Sequence, residues 1–196
     1  MNNTFKTTLI GTTTTGKTSL VIRLKNKIFI NESNCTIGAS FMKLTNENVN
    51  YELWDTAGQE RFFALLPMYF RGTRIFIYVF DLSQEHTISA IDRYYKDLNL
   101  IQIYKIIIVG NKSDLVSEDD IKNIDHKIRK KFNESVIADN IFDFIYVSAK
   151  TGENCDILLS TMNLCAKELG APIRTGRILD MPVKIDNEVQ KSRCSC

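Results

Sequence analysis

The chain has 196 residues, 44% of them hydrophobic and 24% charged, with a formal net charge of +2; this suffices for one soluble domain with its own core. Five Lys/Arg and three Asp/Glu fall in the last 26 residues, so residues 1–170 carry 20 charges of each sign, and a neutral body argues against nucleic acid as a partner. The five cysteines form no CxxC pair and the two histidines, His86 and His126, lie far apart, which argues against a zinc site and for a reducing compartment.

No apolar run is long enough to span a bilayer. The opening MNNTFKTTLIG lacks the apolar stretch of a secretory leader, and Asn2 stands where N-myristoylation needs Gly.

Along the chain, short apolar runs alternate with helical patterns, as in a parallel sheet wrapped by helices. FKTTLIG (5–11) reads as a strand and enters GTTTTGKTSL (11–20), which has the frame G-x-x-x-x-G-K-[ST]. In that frame, backbone N–H groups form an anion nest at a helix N-terminus, Lys17 reaches the β- and γ-phosphates, and the Thr18 hydroxyl ligates Mg²⁺. Four consecutive threonines fill its interior, and a β-branched residue disfavours the positive φ that such a loop asks of glycine. A helix is expected over 16–26. FMKLTNENVNYELWD (41–55) reads as two strands around the polar turn Asn46-Glu47-Asn48, the one tight hairpin signal and so the one antiparallel pair.

WDTAGQERF (54–62) follows. An Asp at a strand end can hold Mg²⁺ through water, Gly58 allows close approach to a γ-phosphate, and Gln59 can orient water for in-line attack. RIFIYVFD (74–81) is a buried strand and 86–99 a helix. YKIIIVG (104–110) is a second buried strand, leading into NKSD (111–114). A carboxylate there accepts from both N1–H and N2–H of guanine and is left unpaired against adenine. A helix covers 118–133, DFIYVSA (143–149) is the last strand, and SAK (148–150) is placed to touch a base. The helix over 153–169 ends at Gly170-Ala171-Pro172. The polar tail beyond has little periodicity and is expected to be disordered. Each segment alone has a plainer alternative: a threonine-rich turn, an ordinary loop, or a solvated Asn/Lys/Ser/Asp turn.

In this order and spacing, the segments over residues 5–170 resemble a Ras-superfamily small GTPase, and more closely a Rab. IGASF (37–41), the full WDTAGQERF and MYFRG (68–72) carry the Rab likeness. TIGASF with ALLPMYFRG is similar to the endocytic, early-endosomal branch, and the terminal CSC is similar to the doubly prenylated C-x-C of Rabs. The resemblance implies a P-loop α/β three-layer sandwich, a mixed six-stranded, mostly parallel sheet flanked by helices, over 1–170, with a flexible hypervariable tail over 171–196. It implies GTP/GDP and Mg²⁺ as ligands and a switch between the two nucleotide states that regulates vesicle traffic.

The roles it implies are these. Thr14, Thr15, Gly16, Lys17, Thr18 and Ser19 form most of the phosphate loop. Phe29 leans on the guanine face. Thr18, Thr36 and Asp55 serve the metal, Thr36 only with triphosphate. Gly58 meets the γ-phosphate and Gln59 is catalytic. Asn111, Lys112 and Asp114 hold the base with Ser148, Ala149 and Lys150, the Ala149 backbone N–H facing it. Ile37, Phe41, Trp54 and Tyr69 form the effector surface, with buried core as the alternative for the aromatics. Cys194 and Cys196 carry lipid.

The implied partners are an exchange factor, a GTPase-activating protein, a GDP-dissociation inhibitor, effectors and a membrane. The protein is expected to be a monomer on the cytoplasmic face of endosomal membranes, with a cytosolic pool. Thr13, Thr15, Cys35 and the stretch 117–140 depart from the family pattern without removing a ligand for phosphate, metal or base. A guanine-nucleotide scaffold that does not hydrolyse is the rival reading. An ATP-dependent kinase is another, disfavoured by NKSD.

Overall fold

The computed structural model describes residues 3–31 and 35–170. Six strands form one sheet in the order β2-β3-β1-β4-β5-β6: β1 Thr4–Ile10, β2 Ala39–Asn46, β3 Val49–Thr56, β4 Ile75–Asp81, β5 Lys105–Asn111 and β6 Ile141–Tyr146. Only β2 and β3 run antiparallel, and every other pair is parallel. The hairpin turns at Glu47, whose φ of 52° is left-handed. The expected mixed, mostly parallel six-stranded sandwich is the fold found.

Strand β4 is buried at all seven positions, which is why its sequence runs apolar instead of alternating. Ile75, Ile77 and Val79 face one side, against α1 (Lys17–Asn26) and α6 (Cys155–Leu169), where Leu20, Val21, Leu158 and Met162 are buried. Phe76, Tyr78 and Phe80 face the other, against α5 (Glu118–Asn133) and the segments between β3 and β5. The divergent stretch 117–140 keeps this packing: Ile124, Ile128 and Phe132 recur at helical spacing and are buried. Ser117 caps α5 by accepting from Asp120 N–H, a contact generally worth about 1 kcal/mol.

Two expectations need correction. The helix over 86–99 is broken into α3 (His86–Ser89), a 3₁₀ segment (Ala90–Tyr94) and α4 (Tyr95–Leu98). The buried Tyr78 hydroxyl explains the break. It donates to the Thr87 and Ile88 carbonyls, which an unbroken helix would give to its own N–H groups. Strand β6 ends at Tyr146, not at residue 149. There the chain turns, with Gly152 N–H donating to Ser148 O at 2.8 Å and Thr151 N–H to Ser148 Oγ at 3.0 Å. The connection after β3, for which no element was expected, holds a 3₁₀ turn (Glu60–Leu65) and the short α2 (Leu66–Phe70).

Parallel register lines up the carboxyl ends of the strands, with Leu9 opposite Asp55 and Asp81 opposite Asn111. In open α/β sheets this edge is where ligands sit. No described helix is long and apolar enough to cross a membrane.

Candidate functional site

A cavity of about 400 Å³ lies along this edge. The loop GTTTTGKTS (11–19) forms one end. Gly16 has φ 89°, and a Cβ there would come 2.3 Å from Asn111 Nδ2. Thr14 takes φ 63°, so one of the four threonines does adopt the left-handed conformation its side chain resists. The neighbouring contacts hold it there. Thr15 Oγ1 donates to Thr12 O at 3.0 Å, and Lys17 Nζ donates to Gly11 O at 2.8 Å and Thr12 O at 2.7 Å. An ammonium has three donors, which leaves one for a ligand oxygen. Burial pushes the Lys17 pKa down to about 8, with Asp55 opposing the shift.

Beside it lies a corner of oxygen donors. Thr18 Oγ1 donates to Asp55 Oδ2 at 2.6 Å, Thr36 Oγ1 stands 3.3 Å from the same oxygen, and the two hydroxyls are 2.9 Å apart. Thr36 is thus drawn onto the helix N-terminus that carries Thr18. Asp55 is 1% exposed and its Oδ1 has no partner among the described residues. Burial raises its pKa against the Thr18 hydrogen bond and Lys17, as expected of a carboxylate that needs a cation beside it. Among the described residues no cluster of three His, Cys, Asp or Glu exists. Two hydroxyls backed by one buried carboxylate is an all-oxygen set, and it fits a hard divalent ion such as Mg²⁺ that keeps its own waters.

At the far end Phe29, Asn111, Lys112, Asp114, Ala149 and Lys150 line the cavity. Asn111 ties three segments together: its Nδ2 donates to Thr15 O at 2.8 Å and its Oδ1 accepts from Ala149 N–H at 3.0 Å. The Ala149 amide, expected to face a base, is therefore turned to Asn111. Lys112 is held at 2.7 Å from buried Asp81 Oδ2. Burial works against the Asp81 carboxylate, but Lys112 and Ser83 outweigh it and its pKa lies below the usual value. Asp114 Oδ1 accepts from Ser148 Oγ at 2.6 Å, and its Oδ2 is 3.9 Å from Lys150 Nζ.

Between the two ends, Gly58 and Gln59 line the wall with Thr13, Thr14, Gly16, Ser19 and Cys35. A Cβ on Gly58 would be 2.4 Å from Thr12 C and Thr13 N, so only glycine lets this strand end close on the loop. Thr15 and Ser148 are buried behind the wall, and Asp55 beneath it. On the outer face, Phe41 packs edge-on against Trp54 at 5.4 Å, and Trp54 tilts against Tyr69 at 6.1 Å. Ile37 is 80% and Phe41 46% exposed, while Trp54 is half-buried, so the aromatics are a surface strip and not core. Cys194 and Cys196 lie outside the described residues.

Sequence reading missed Thr56 and Leu115 as lining residues. It also missed Arg23 and Tyr94. Arg23 donates to the Ala149 and Lys150 carbonyls, and the Tyr94 hydroxyl accepts from Gly11 N–H at 3.3 Å. No local motif marks either, because their partners lie far away in sequence.

A model of the Ras family matches residues 6–167. Over 200 residues the chain is 32% identical to the Ras-related protein Rab-5A of Dictyostelium discoideum, covering 97% of this chain and 94% of that protein. It is 39% identical to human Ras-related protein Rab-22A over 159 residues, 78% of each chain. It is 33% identical to the GTP-binding protein YPT53 of Saccharomyces cerevisiae over 165 residues, 81% of this chain and 74% of that one.

Proposed function

The chain belongs to the Ras family of small GTPases, and from that premise we propose that it acts as a Rab-type switch in endosomal membrane traffic. It binds GTP and GDP with Mg²⁺ and hydrolyses GTP, and its partners include regulators and effectors, as in its Rab relatives. One arrangement carries this reading: Thr18, Thr36 and buried Asp55 meet at one end of a cavity whose other end presents Asp114.

The chain's own groups divide the work. The phosphate loop and Lys17 hold the phosphates. Thr18 and Thr36 supply the hydroxyl ligands, with Asp55 behind them. Mg²⁺ held by these groups would supply neutralisation of the phosphate charge. Gln59 orients the attacking water, and Gly58 leaves room for the γ-phosphate. Thr36 comes from the first switch segment (31–43) and Gly58 from the second (56–72). Order in both therefore depends on contacts at the γ-phosphate end of the cavity. Phe41 of the first segment and Tyr69 of the second pack on Trp54 between them, and together with Ile37 these are the surface an effector reads.

An exchange factor, a GTPase-activating protein and a GDP-dissociation inhibitor act on the domain over 1–170. Prenyl groups on Cys194 and Cys196 of the tail over 171–196 anchor it to the cytoplasmic face of endosomes, with a cytosolic pool carried by the inhibitor.

Competition binding tests the base assignment. The wild type binds GDP and GTP far more tightly than ATP. Asp114→Asn shifts preference toward xanthine nucleotides, whose 2-oxo group accepts from an amide. Equal affinity for ATP and GTP in the wild type would sink the reading. Single-turnover hydrolysis separates it from the non-hydrolysing scaffold, which would hold GTP unchanged.

A further inference from the structure

We propose that Arg23 is a positioning residue for base recognition: from helix α1 it clamps the loop that aims the base-reading side chains. The inference rests on Asp114 being the carboxylate that reads guanine. Arg23 Nε donates to Ala149 O at 2.8 Å, Nη2 donates to Lys150 O, and Nη1 donates to Lys27 O at 2.7 Å, closing the end of α1. Its side-chain carbons lie beside Gly152, where a Cβ would stand 3.8 Å from Arg23 Cδ.

The clamped loop holds the recognition groups in turn. Ser148 Oγ orients Asp114 at 2.6 Å, Ala149 N–H orients Asn111 at 3.0 Å, and Lys150 Nζ stands 3.9 Å from the other Asp114 oxygen. The other hydrogen bonds of Ser148, Thr151 and Gly152 run within the loop, to Glu153, or to Cys155 at the start of α6, so among the described residues Arg23 is the loop's tie to α1. That helix also carries Lys17 and Thr18 at its start. One rigid rod therefore sets both the phosphate end and the base end of the cavity, and Arg23 fixes the spacing between them. The planar guanidinium reaches two successive carbonyls as a fork. Lysine keeps the charge but offers a point donor and cannot reproduce the fork.

The test compares release of GDP and IDP, whose hypoxanthine lacks the 2-amino group that Asp114 accepts from. The wild type retains GDP longer than IDP. Arg23→Lys releases GDP about tenfold faster, the scale of one lost charge-assisted hydrogen bond, and the GDP/IDP ratio shrinks by about threefold or more. Hydrolysis of GTP already bound changes by less than about twofold, because among the described residues the Arg23 side chain bonds only to residues 27, 149 and 150 and a misplaced base leaves the attacking geometry in place. Arg23→Met, which keeps the stem beside Gly152, gives the same pattern.

A purely structural role would speed release of both nucleotides equally and lower the melting temperature in step, and that result overturns the proposal. A wild type that releases GDP and IDP at the same rate overturns the Asp114 reading and this inference together. A wild-type GDP preference that persists unchanged in both variants overturns the role of Arg23 alone.

Discussion

Replacing Thr14 by glycine should make the protein more stable, contrary to the usual effect of adding glycine. Thr14 has φ 63°, and the left-handed region costs an L-residue about 1–2 kcal/mol, with β-branched side chains poorly suited to it. Its side chain is exposed, so little packing is lost with it. Glycine removes the strain but adds about 0.5–1 kcal/mol of unfolded-state entropy. The balance is a gain of about 0.5–1 kcal/mol, or about 1–4 °C in melting temperature for a domain of this size. Thr13→Gly is the control. Thr13 is also exposed, in the same loop, and is not among the residues of positive φ, so glycine there brings only the entropy cost and lowers the melting temperature. Both variants are melted beside the wild type at equal, saturating GDP and Mg²⁺, since bound ligand itself adds stability. A Thr14→Gly protein that melts at or below the wild type, or together with Thr13→Gly, refutes the strain assignment.

Thr13→Gly should also raise intrinsic GTP turnover, because Thr13 lines the cavity wall beside Gly58 and Gln59, where a misplacement of about 1 Å can cost on the order of 10²-fold; single-turnover assays showing an equal or slower rate reject crowding. Lys17 has a folded pKa of about 8 against 10.5 unfolded. Between those values the unfolded chain holds the extra proton, so the stability of the nucleotide-free fold gains with rising pH. Phosphate needs the ammonium, so GDP affinity falls as pH rises above about 8, approaching tenfold per unit, with proton uptake on binding; calorimetry in two buffers that finds no uptake at pH about 8.5 would discount the shift. Cys194→Ser with Cys196→Ser should leave a wholly cytosolic protein that still binds GTP. The tail is only weakly basic, and one lipid chain gives marginal binding, so each single variant is partly mislocalised; a double variant found in the membrane pellet contradicts the anchor.

Much of this protein is written locally. The frame around Lys17, the WDTAGQERF run and NKSD each sit beside a strand whose apolar run marks it as buried. Their order alone places the groups proposed to hold phosphate, metal and base along one sheet edge. The hairpin at Glu47 and the helix α5 follow from turn chemistry and from the spacing of Ile124, Ile128 and Phe132. These are signals between near neighbours, and a sequence displays near neighbours.

Tertiary structure decided what depends on contacts between distant segments. It put the left-handed turn on Thr14, pinned by Lys17 and Thr15, where four identical residues offered no way to choose. It broke the helix after β4, because the Tyr78 hydroxyl takes the carbonyls of Thr87 and Ile88. It turned Lys112 to Asp81 and the Ala149 amide to Asn111. It also brought Arg23 to carbonyls 126 and 127 residues further along the chain. Each of these is a buried or half-buried polar group finding its partner, and that partner exists only once the sheet has brought its strands together.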